Sequence, residues 1–380
     1  MAGSRKRWTG TGYTGNFRAI PAMKPDPEPR RVSLRDIAKA IGVSHVTVSL
    51  ALRNHPRISK AMQERVQQLA EELGYRPDPM LAALAQYRKA KSERPVAACI
   101  AWINAWPDPA DLRKFREFDL YWQGASNAAA QSGYRLEEFR FGEAYTAERL
   151  HQILTARGIN GLLLPPQGCA PDWGEFPWQE YSVVRFGRSM PEPRTHLVTS
   201  DQVANTQLAY AEMRKRGYRR IGFVTDEERA LLRGHLFLAG FLYAQREDPE
   251  EARVPILPVT GEADAAMGRQ IAAWVEKHDV DAIYTDIPGI PRLLQKQGIR
   301  VPEDVGVAAT TVLDARADAG IDQEPWETGR VAFFLLASLI NEGVRGIPGI
   351  FRQVLVRGSW QDGNTLPPRK IRSTRDRGAS

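Results

Sequence analysis

The chain has 380 residues, enough for two or three domains, and 43% of them are hydrophobic, as in proteins that bury a core. No apolar run approaches the ~18 residues of a membrane span, and the N-terminus lacks the apolar segment of a secretion signal. Composition therefore argues against the membrane and secreted classes, and we expect a cytoplasmic protein.

The formal net charge of +7 is unevenly distributed along the chain. Residues 1–92 carry a net charge of +10, residues 363–380 carry +4, and the remainder carries −7. A basic end on an acidic body is typical of a nucleic-acid-binding segment attached to a body that does not itself bind nucleic acid.

The first 31 residues are rich in Gly, Thr, Arg and Pro and show no periodicity. We predict that residues 1–31 are a disordered extension, and the alternative is a basic arm that contacts phosphates. Met23 is a second plausible start of the protein, because it stands shortly before the first periodic segment.

Residues 35–53 predict two short helices joined by a tight turn. Gly42 ends the first helix, because only glycine takes the left-handed conformation without a steric penalty, and Ser44 stands at the N-cap of the second. On the second helix four side chains are expected to face outward: His45, Val46, Ser49 and Leu50. The pattern predicts a helix-turn-helix whose second helix enters a DNA major groove, and an ordinary helical hairpin is the alternative.

Residues 58–75 predict a third amphipathic helix, which is capped by Ser59 and stopped by Gly74. Three motifs then carry a resemblance to a known family: Val43-Ser-x-x-Thr-Val-Ser49, Ile58-Ser59 and Leu73-Gly-Tyr-x-Pro77. They resemble the DNA-binding headpiece of LacI-type transcriptional regulators, and the match has no gaps. The resemblance implies a DNA-binding domain over residues 32–76.

The resemblance also implies which headpiece residues contact DNA. Base contacts are expected from His45, Val46 and Leu50. The family often has an arginine at the last of these positions, where it binds guanine, whereas a leucine can only contact thymine methyl groups or pack. Phosphate contacts are expected from Ser44, Thr47, Ser49, Arg53, Arg57, Ser59 and Tyr75. Such contacts set register and affinity rather than sequence preference, and capping or simple exposure is the alternative for each hydroxyl.

Residues 77–92 are expected to form a hinge helix and linker, in which Asp78 fits the N-cap and Pro79 the first turn. In the resembling family this helix orders on the operator and inserts a leucine into the minor groove. Leu84 occupies that position here, and apolar wedges of this kind kink DNA. The alternative is a linker helix that packs on its own domain.

From residue 95 onward, apolar strands alternate with helices in two successive sets, which is typical of parallel sheets flanked by helices. Motifs such as Leu238-Ala-Gly-Phe241 and Val356-Arg-Gly-Ser359 resemble the periplasmic-binding-protein-like core of the same family. We therefore expect an α+β multidomain chain. A three-helix headpiece and a hinge helix precede a two-lobed α/β core over residues 95–362, which binds an effector and dimerises.

In the resembling family an arginine that precedes the Leu-Ala-Gly-Phe motif grips the ligand, and an acidic residue follows the strand near Thr311. Here Phe237 takes the arginine position, and Asp314 is the nearest acid. Two aspartates do match ligand-side positions: Asp201 and Asp286. Aromatic side chains that could stack on a sugar are Trp102, Trp106, Tyr121, Trp122 and Trp326, although most aromatics in any protein are core residues.

Residues 363–380 are expected to form a disordered basic tail. They lack the leucine heptads that would assemble four chains, so a homodimer is predicted.

The most plausible function is a transcriptional repressor that binds a palindromic operator as a dimer and responds to a small, sugar-like effector. A regulator with a non-sugar ligand, or with none, is the first alternative. An enzyme is the second, but no phosphate loop or nucleophile motif is present and the six histidines are scattered. We therefore expect no cofactor and no metal. A solute-binding protein is disfavoured by the attached headpiece.

Overall fold

The computed structural model describes residues 32–52, 58–75, 98–142, 145–168 and 171–369. Contacts divide the chain into two compact units, Met1–Pro77 and Asp78–Ser380. The predictions for residues 1–31, for the hinge segment 77–92 with Leu84, and for Arg53 and Arg57 fall outside the described residues.

The described residues of the first unit form three helices: α1 (Leu34–Ile41), α2 (His45–Leu52) and α3 (Lys60–Glu72). The predicted end of the first helix at Gly42 and the predicted N-cap of the second at Ser44 are confirmed. Gly42 has a positive φ of 79° and donates its N–H to the Ala38 carbonyl, and the Ser44 hydroxyl accepts the Thr47 N–H at 3.0 Å at the start of α2. One small core joins the three helices: Ile37, Ala38, Val48, Ala51, Val66 and Ala70.

In the second unit, the part of the chain that the structure describes forms two six-stranded sheets. The first sheet, in the order β11-β5-β4-β3-β1-β2, consists of β1 (Ala98–Asn104), β2 (Tyr134–Arg140), β3 (Gly161–Leu164), β4 (Ser182–Phe186), β5 (His196–Ser200) and β11 (Gln353–Val356). The second, in the order β12-β10-β9-β8-β6-β7, consists of β6 (Ile221–Asp226), β7 (Leu257–Val259), β8 (Ala282–Thr285), β9 (Gly306–Ala309), β10 (Gly320–Asp322) and β12 (Ser359–Gln361). All pairings are parallel except that of β10 with β12. The predicted two-lobed α/β core is confirmed.

Helices cover both faces of each sheet. They are α4 (Arg116–Gln131), α5 (Ala147–Ala156), α6 (Gln202–Lys215), α7 (Glu227–Leu232), α8 (Leu236–Gln245), α9 (Ala265–His278), α10 (Ile290–Lys296) and α11 (Pro325–Glu342). Each lobe accordingly has two hydrophobic clusters. Burial on both faces explains why the strands appear in the sequence as continuous apolar runs.

The chain passes between the lobes three times, from β5 to α6, from β10 to α11 and from β11 to β12. The passages are connected by hydrogen bonds. The Ser200 hydroxyl donates to the Gln323 side-chain carbonyl, and the Gly358 N–H donates to Asn205 Oδ1 at 2.8 Å. Any rotation of one lobe against the other must therefore take place along these three short connections.

The boundary predicted at residue 362 is wrong, because residues 363–369 pack on the second lobe. Leu366 is 1% exposed, and the Tyr218 hydroxyl donates to the Pro367 carbonyl at 2.9 Å. The Arg369 guanidinium lies 4.7 Å from the centre of the Tyr218 ring and 3.4 Å from the Asp281 carboxylate. The predicted disordered tail therefore begins no earlier than residue 370, beyond which the structure is not described.

None of the helices in the described ranges is long and apolar enough to cross a membrane. Within the same ranges, His, Cys, Asp and Glu side chains do not form a group of three that could hold a metal ion.

Candidate functional site

Helix α2 buries one face in the headpiece and exposes its N-terminal end. Val48 and Ala51 are fully buried, whereas His45 is exposed and Leu50 is half-buried. Only the backbone of Val46 is described. The orientation that the sequence predicts for His45 is therefore confirmed, and its imidazole is accessible to a ligand of the headpiece.

The hydroxyls predicted to contact phosphate have local roles as well. Ser44 Oγ and Thr47 Oγ1 lie 2.8 Å apart, so one of their two protons is used between them and the other can be donated outward. Ser59 is exposed, and Ser49 and Tyr75 are half-buried. Tyr75 also packs against the headpiece core, so its ring has a structural role whatever its hydroxyl binds.

In the core, three of the eight predicted ligand-binding residues lie just after the carboxyl ends of parallel strands. Asp201, Asp286 and Thr311 follow β5, β8 and β9, and in open α/β sheets this edge is where ligands bind. Asp201 also caps α6 by accepting the Ala204 N–H at 3.1 Å. The Thr311 hydroxyl is buried and makes no hydrogen bond with the described residues.

The guanidinium of Arg233 lies beside Phe237, the position at which the resembling family has an arginine. Its Nη1 atom lies 3.0 Å from Asp286 Oδ2, and its guanidinium carbon lies 5.7 Å from the centre of the Phe237 ring. The arginine thus comes from four residues upstream of the expected position, through the turn between α7 and α8. Phe237 is 5% exposed and belongs to the core of the second lobe, so it supports the arginine rather than replacing it.

Asp286 holds this arginine in place. Its side chain is only 1% exposed, and it also accepts the Asp226 N–H at 3.1 Å. Burial raises the pKa of the Asp286 carboxyl, and Arg233 is the strongest influence in the opposite direction. An almost inaccessible carboxylate cannot grip a ligand directly, so its expected role shifts to orienting Arg233.

Glu117, on α4 of the first lobe, and Arg233 of the second lobe influence each other electrostatically. The Tyr121 hydroxyl donates to Glu117 Oε1 at 2.6 Å. Burial raises the pKa of the Glu117 carboxyl, while Tyr121 and then Arg233 oppose that shift. The two lobes therefore carry opposite charges that attract each other, and neither residue was among those predicted from the sequence.

The aromatic residues separate into two groups. Trp102 is fully buried and Trp122 packs beside it, with ring centres 5.5 Å apart, so packing accounts for both. Trp326 is 41% exposed at the start of α11. Trp106 is half-buried and lies 5.7 Å from the Phe115 ring, next to the start of α4. Among the predicted aromatics, Trp106 and Trp326 are therefore the candidates for stacking on a ligand.

Together these features define a helix-turn-helix module joined to a two-lobed binding core. A family model of the bacterial regulatory proteins of the lacI family matches residues 33–78, and one of the periplasmic binding protein-like domain matches residues 210–360. The transcriptional repressor CytR of Escherichia coli (strain K12) is 25% identical over 332 residues, which cover 83% of this chain and 91% of CytR. The regulator PtxS of Pseudomonas putida is 25% identical over 351 residues, covering 87% and 96% of the two chains.

Solved structures share the fold. A complex of the regulator CelR with cellobiose has a TM-score of 0.52 at 20% identity and covers 88% of this chain and 100% of that one. A LacI-family regulator from Enterococcus faecium with bound ribose has a TM-score of 0.52 at 17% identity, covering 72% and 100%. The chain thus carries a helix-turn-helix domain of the lacI type and a periplasmic-binding-protein-like domain, which together define a DNA-binding transcriptional regulator. CytR and PtxS are named as regulators of transcription, not as enzymes.

Proposed function

We propose that the chain is a repressor that binds a near-palindromic operator as a dimer and is controlled by a carbohydrate effector in the core cleft. The observation that carries the DNA-binding part is the orientation of α2, which buries Val48 and Ala51 and exposes His45. His45, Val46 and Leu50 read bases in this proposal. Ser44, Thr47, Ser49, Arg53, Arg57, Ser59 and Tyr75 hold phosphates, and Leu84 of the hinge segment 77–92 is the minor-groove wedge.

Dimerisation is supported by exposed apolar side chains on the second lobe. Leu231 and Leu232 of α7 are 68% and 53% exposed, and Leu242 and Tyr243 of α8 are 48% and 60% exposed. Large apolar side chains grouped on neighbouring helices are typical of protein interfaces. A second copy of the chain on this face would bring two headpieces to the two half-sites of one operator.

The carbohydrate class is supported by the chemistry of the cleft. Guanidinium and carboxyl groups bind sugar hydroxyls, and the rings of Trp106 and Trp326 can stack on the apolar face of a sugar. Arg233 and Glu117 supply these two polar groups from opposite lobes, so a ligand between them contacts both lobes at once. Two proteins with the same fold were solved with cellobiose and with ribose.

The test of this proposal is operator release measured by fluorescence anisotropy, with cellobiose and ribose as the first probes of a carbohydrate panel. A sugar that changes operator affinity of the wild type should have no effect on Arg233→Ala, whose affinity for DNA without sugar should be unchanged. Arg229→Ala is the matched control, because Arg229 is 51% exposed and pairs within its own lobe with Asp226. A sugar response that survives Arg233→Ala removes this residue from the effector site, and a panel without any response excludes the carbohydrate class.

A further inference from the structure

Helix α4 begins without an N-cap of its own. Its N-cap residue is Phe115, which has extended backbone angles (φ −85°, ψ 112°) and a side chain that cannot accept a hydrogen bond. The first N–H groups of a helix have no acceptor within the helix. Here those of Arg116 and Glu117 donate to the two carboxylate oxygens of Asp314, at 3.2 and 3.3 Å.

Asp314 belongs to the opposite lobe and is fixed to it. It lies in the loop after β9, between two backbone hydrogen bonds to that lobe. The Val312 N–H donates to the Ile321 carbonyl at 3.0 Å, and the Gly289 N–H donates to the Ala315 carbonyl at 2.9 Å. Because Ala315 is also buried in the core of the second lobe, the carboxylate cannot follow α4 if the lobes separate.

Helix α4 is fixed just as firmly to the first lobe. A Cβ atom at Gly124 would lie 1.9 Å from the Trp326 carbonyl oxygen, and one at Gly329 would lie 2.1 Å from the Tyr121 carbonyl oxygen. The backbones of α4 and α11 are therefore in direct contact, and α11 packs on the first sheet. The cap of α4 thus connects the two lobes.

We propose that Asp314 is an interlobe latch, which caps α4 when the lobes are closed and leaves it uncapped when they rotate apart. A carboxylate at a helix N-terminus is favoured both by its hydrogen bonds and by the helix dipole. Opening breaks both interactions and exposes them to water, so the latch biases the core towards the closed arrangement even without a ligand. An effector that binds the closed form needs correspondingly less of its own binding energy to hold the lobes together.

Other charged groups surround the latch. Asp322 lies near Glu117 together with Asp314 and contributes repulsion, and Arg233 contributes attraction. The carboxylate of Asp314 therefore caps a helix end whose first turn also carries the Glu117 carboxyl. A ligand between the lobes would contact this same group, which places the latch beside the proposed effector site.

The latch can be tested on the full chain by double electron–electron resonance between spin labels on the two lobes. Exposed positions are available at Arg149 on α5 and Lys277 on α9, with labels on Arg149→Cys and Lys277→Cys after Cys99→Ser and Cys169→Ser. Asp314→Ala should shift the closed-to-open ratio about tenfold towards the longer distances. Phe115→Ser gives α4 a cap of its own, so in that background Asp314→Ala should shift the ratio much less.

The matched control is Asp264→Ala, which removes a cap that lies within one lobe. Asp264 accepts the N–H groups of Ala266 and Met267 of α9 at 2.9 Å each. This change should lower the thermal midpoint and leave the interlobe distances unchanged. Unchanged distances in Asp314→Ala, or an equal shift in Asp264→Ala, would overturn the latch.

Only the effect of the latch on DNA binding rests on the proposed function, and operator affinity measures that effect separately from the interlobe distance. If Asp314→Ala lengthens the interlobe distance and also changes operator affinity, the latch takes part in regulation. A longer distance with unchanged operator affinity supports the latch and counts against control of the headpiece by the cleft.

Discussion

Glu117 shows how one buried carboxyl makes the stability of the core depend on pH. Its pKa is raised by burial, so between its usual value and the raised one the native state binds a proton more tightly than the unfolded state does. Where this holds, the free energy of unfolding falls as the pH rises. Glu117→Gln removes the titration and keeps an acceptor for the Tyr121 hydroxyl.

We therefore expect the free energy of unfolding of the wild type, relative to Glu117→Gln, to decrease as the pH rises through and above the ordinary titration range of a glutamate carboxyl. Urea titrations at intervals of pH measure this difference. Asp304→Asn is the control of opposite sign. The pKa of Asp304 is lowered to about 2 by Arg300, so its stabilising contribution is lost only as the pH falls below about 4. Parallel curves for the wild type and Glu117→Gln would contradict the burial of this carboxyl.

At the same scale, the sequence predicted some residues of the candidate effector site and missed others. Asp286 was predicted because it matches a ligand-side position of the resembling family, and it lies directly after β8. Arg233 was missed, because it reaches the cleft only through a turn in which Gly234 and His235 have positive φ angles of 67° and 54°. Glu117 was missed because its partners are a tyrosine one helical turn away and an arginine of the other lobe. Neither relation leaves a pattern in the sequence.

At the scale of elements, the close contact between α4 and α11 depends on two glycines, Gly124 and Gly329. The periodic pattern of apolar residues in the sequence gave no indication of this contact. In an exposed helix, replacing glycine by alanine stabilises by about 1 kcal/mol. At Gly124 the new methyl group would lie 1.9 Å from the Trp326 carbonyl oxygen. This oxygen belongs to the backbone of α11, so it can move away only at a substantial cost in free energy. Gly124→Ala should therefore destabilise the core by about 1–3 kcal/mol, as overpacking does.

Urea unfolding of Gly124→Ala measures this effect, with Gly349→Ala as the control. A Cβ atom at Gly349 would meet nothing within 4 Å, so that variant should be close to neutral. A Gly124→Ala variant as stable as the wild type would show that α4 and α11 are less tightly packed than their backbone contact indicates.

Elements that leave a run or a periodic pattern of apolar residues could be predicted from the sequence. Segments that are held in place by one or two side chains could not. Ten of the twelve strands in the described residues were predicted, because burial on both faces leaves continuous apolar runs such as Ala98–Asn104. The three-residue strands β10 and β12 were not predicted. Residues 363–369 were expected to be disordered. That prediction was wrong because their order depends on Leu366 and Arg369, which pack against the second lobe. One apolar residue in a basic, proline-containing segment gives no periodic signal.

For the molecule as a whole, the uneven distribution of charge agrees with DNA binding by the first unit rather than by the second. The positive charge lies in residues 1–92, which include the helix-turn-helix, and the region between residues 93 and 362 is acidic. Electrostatic attraction then directs the headpiece rather than the core to DNA. Regulation requires that the cleft and the headpiece be coupled through the dimer, because one site can influence the other only through states that both of them bias.

The most direct measurement is the selection of bound sequences from random DNA by the full chain, carried out in parallel with His45→Ala and Arg53→Ala. The wild type should select a near-palindrome with two half-sites, and its affinity should fall steeply with salt. His45→Ala should weaken specific binding by about 1–3 kcal/mol and relax the preference at one or two base positions, whereas Arg53→Ala should weaken all sequences alike. A single, non-repeated half-site, or a sequence preference that His45→Ala leaves unchanged, would contradict DNA reading by α2.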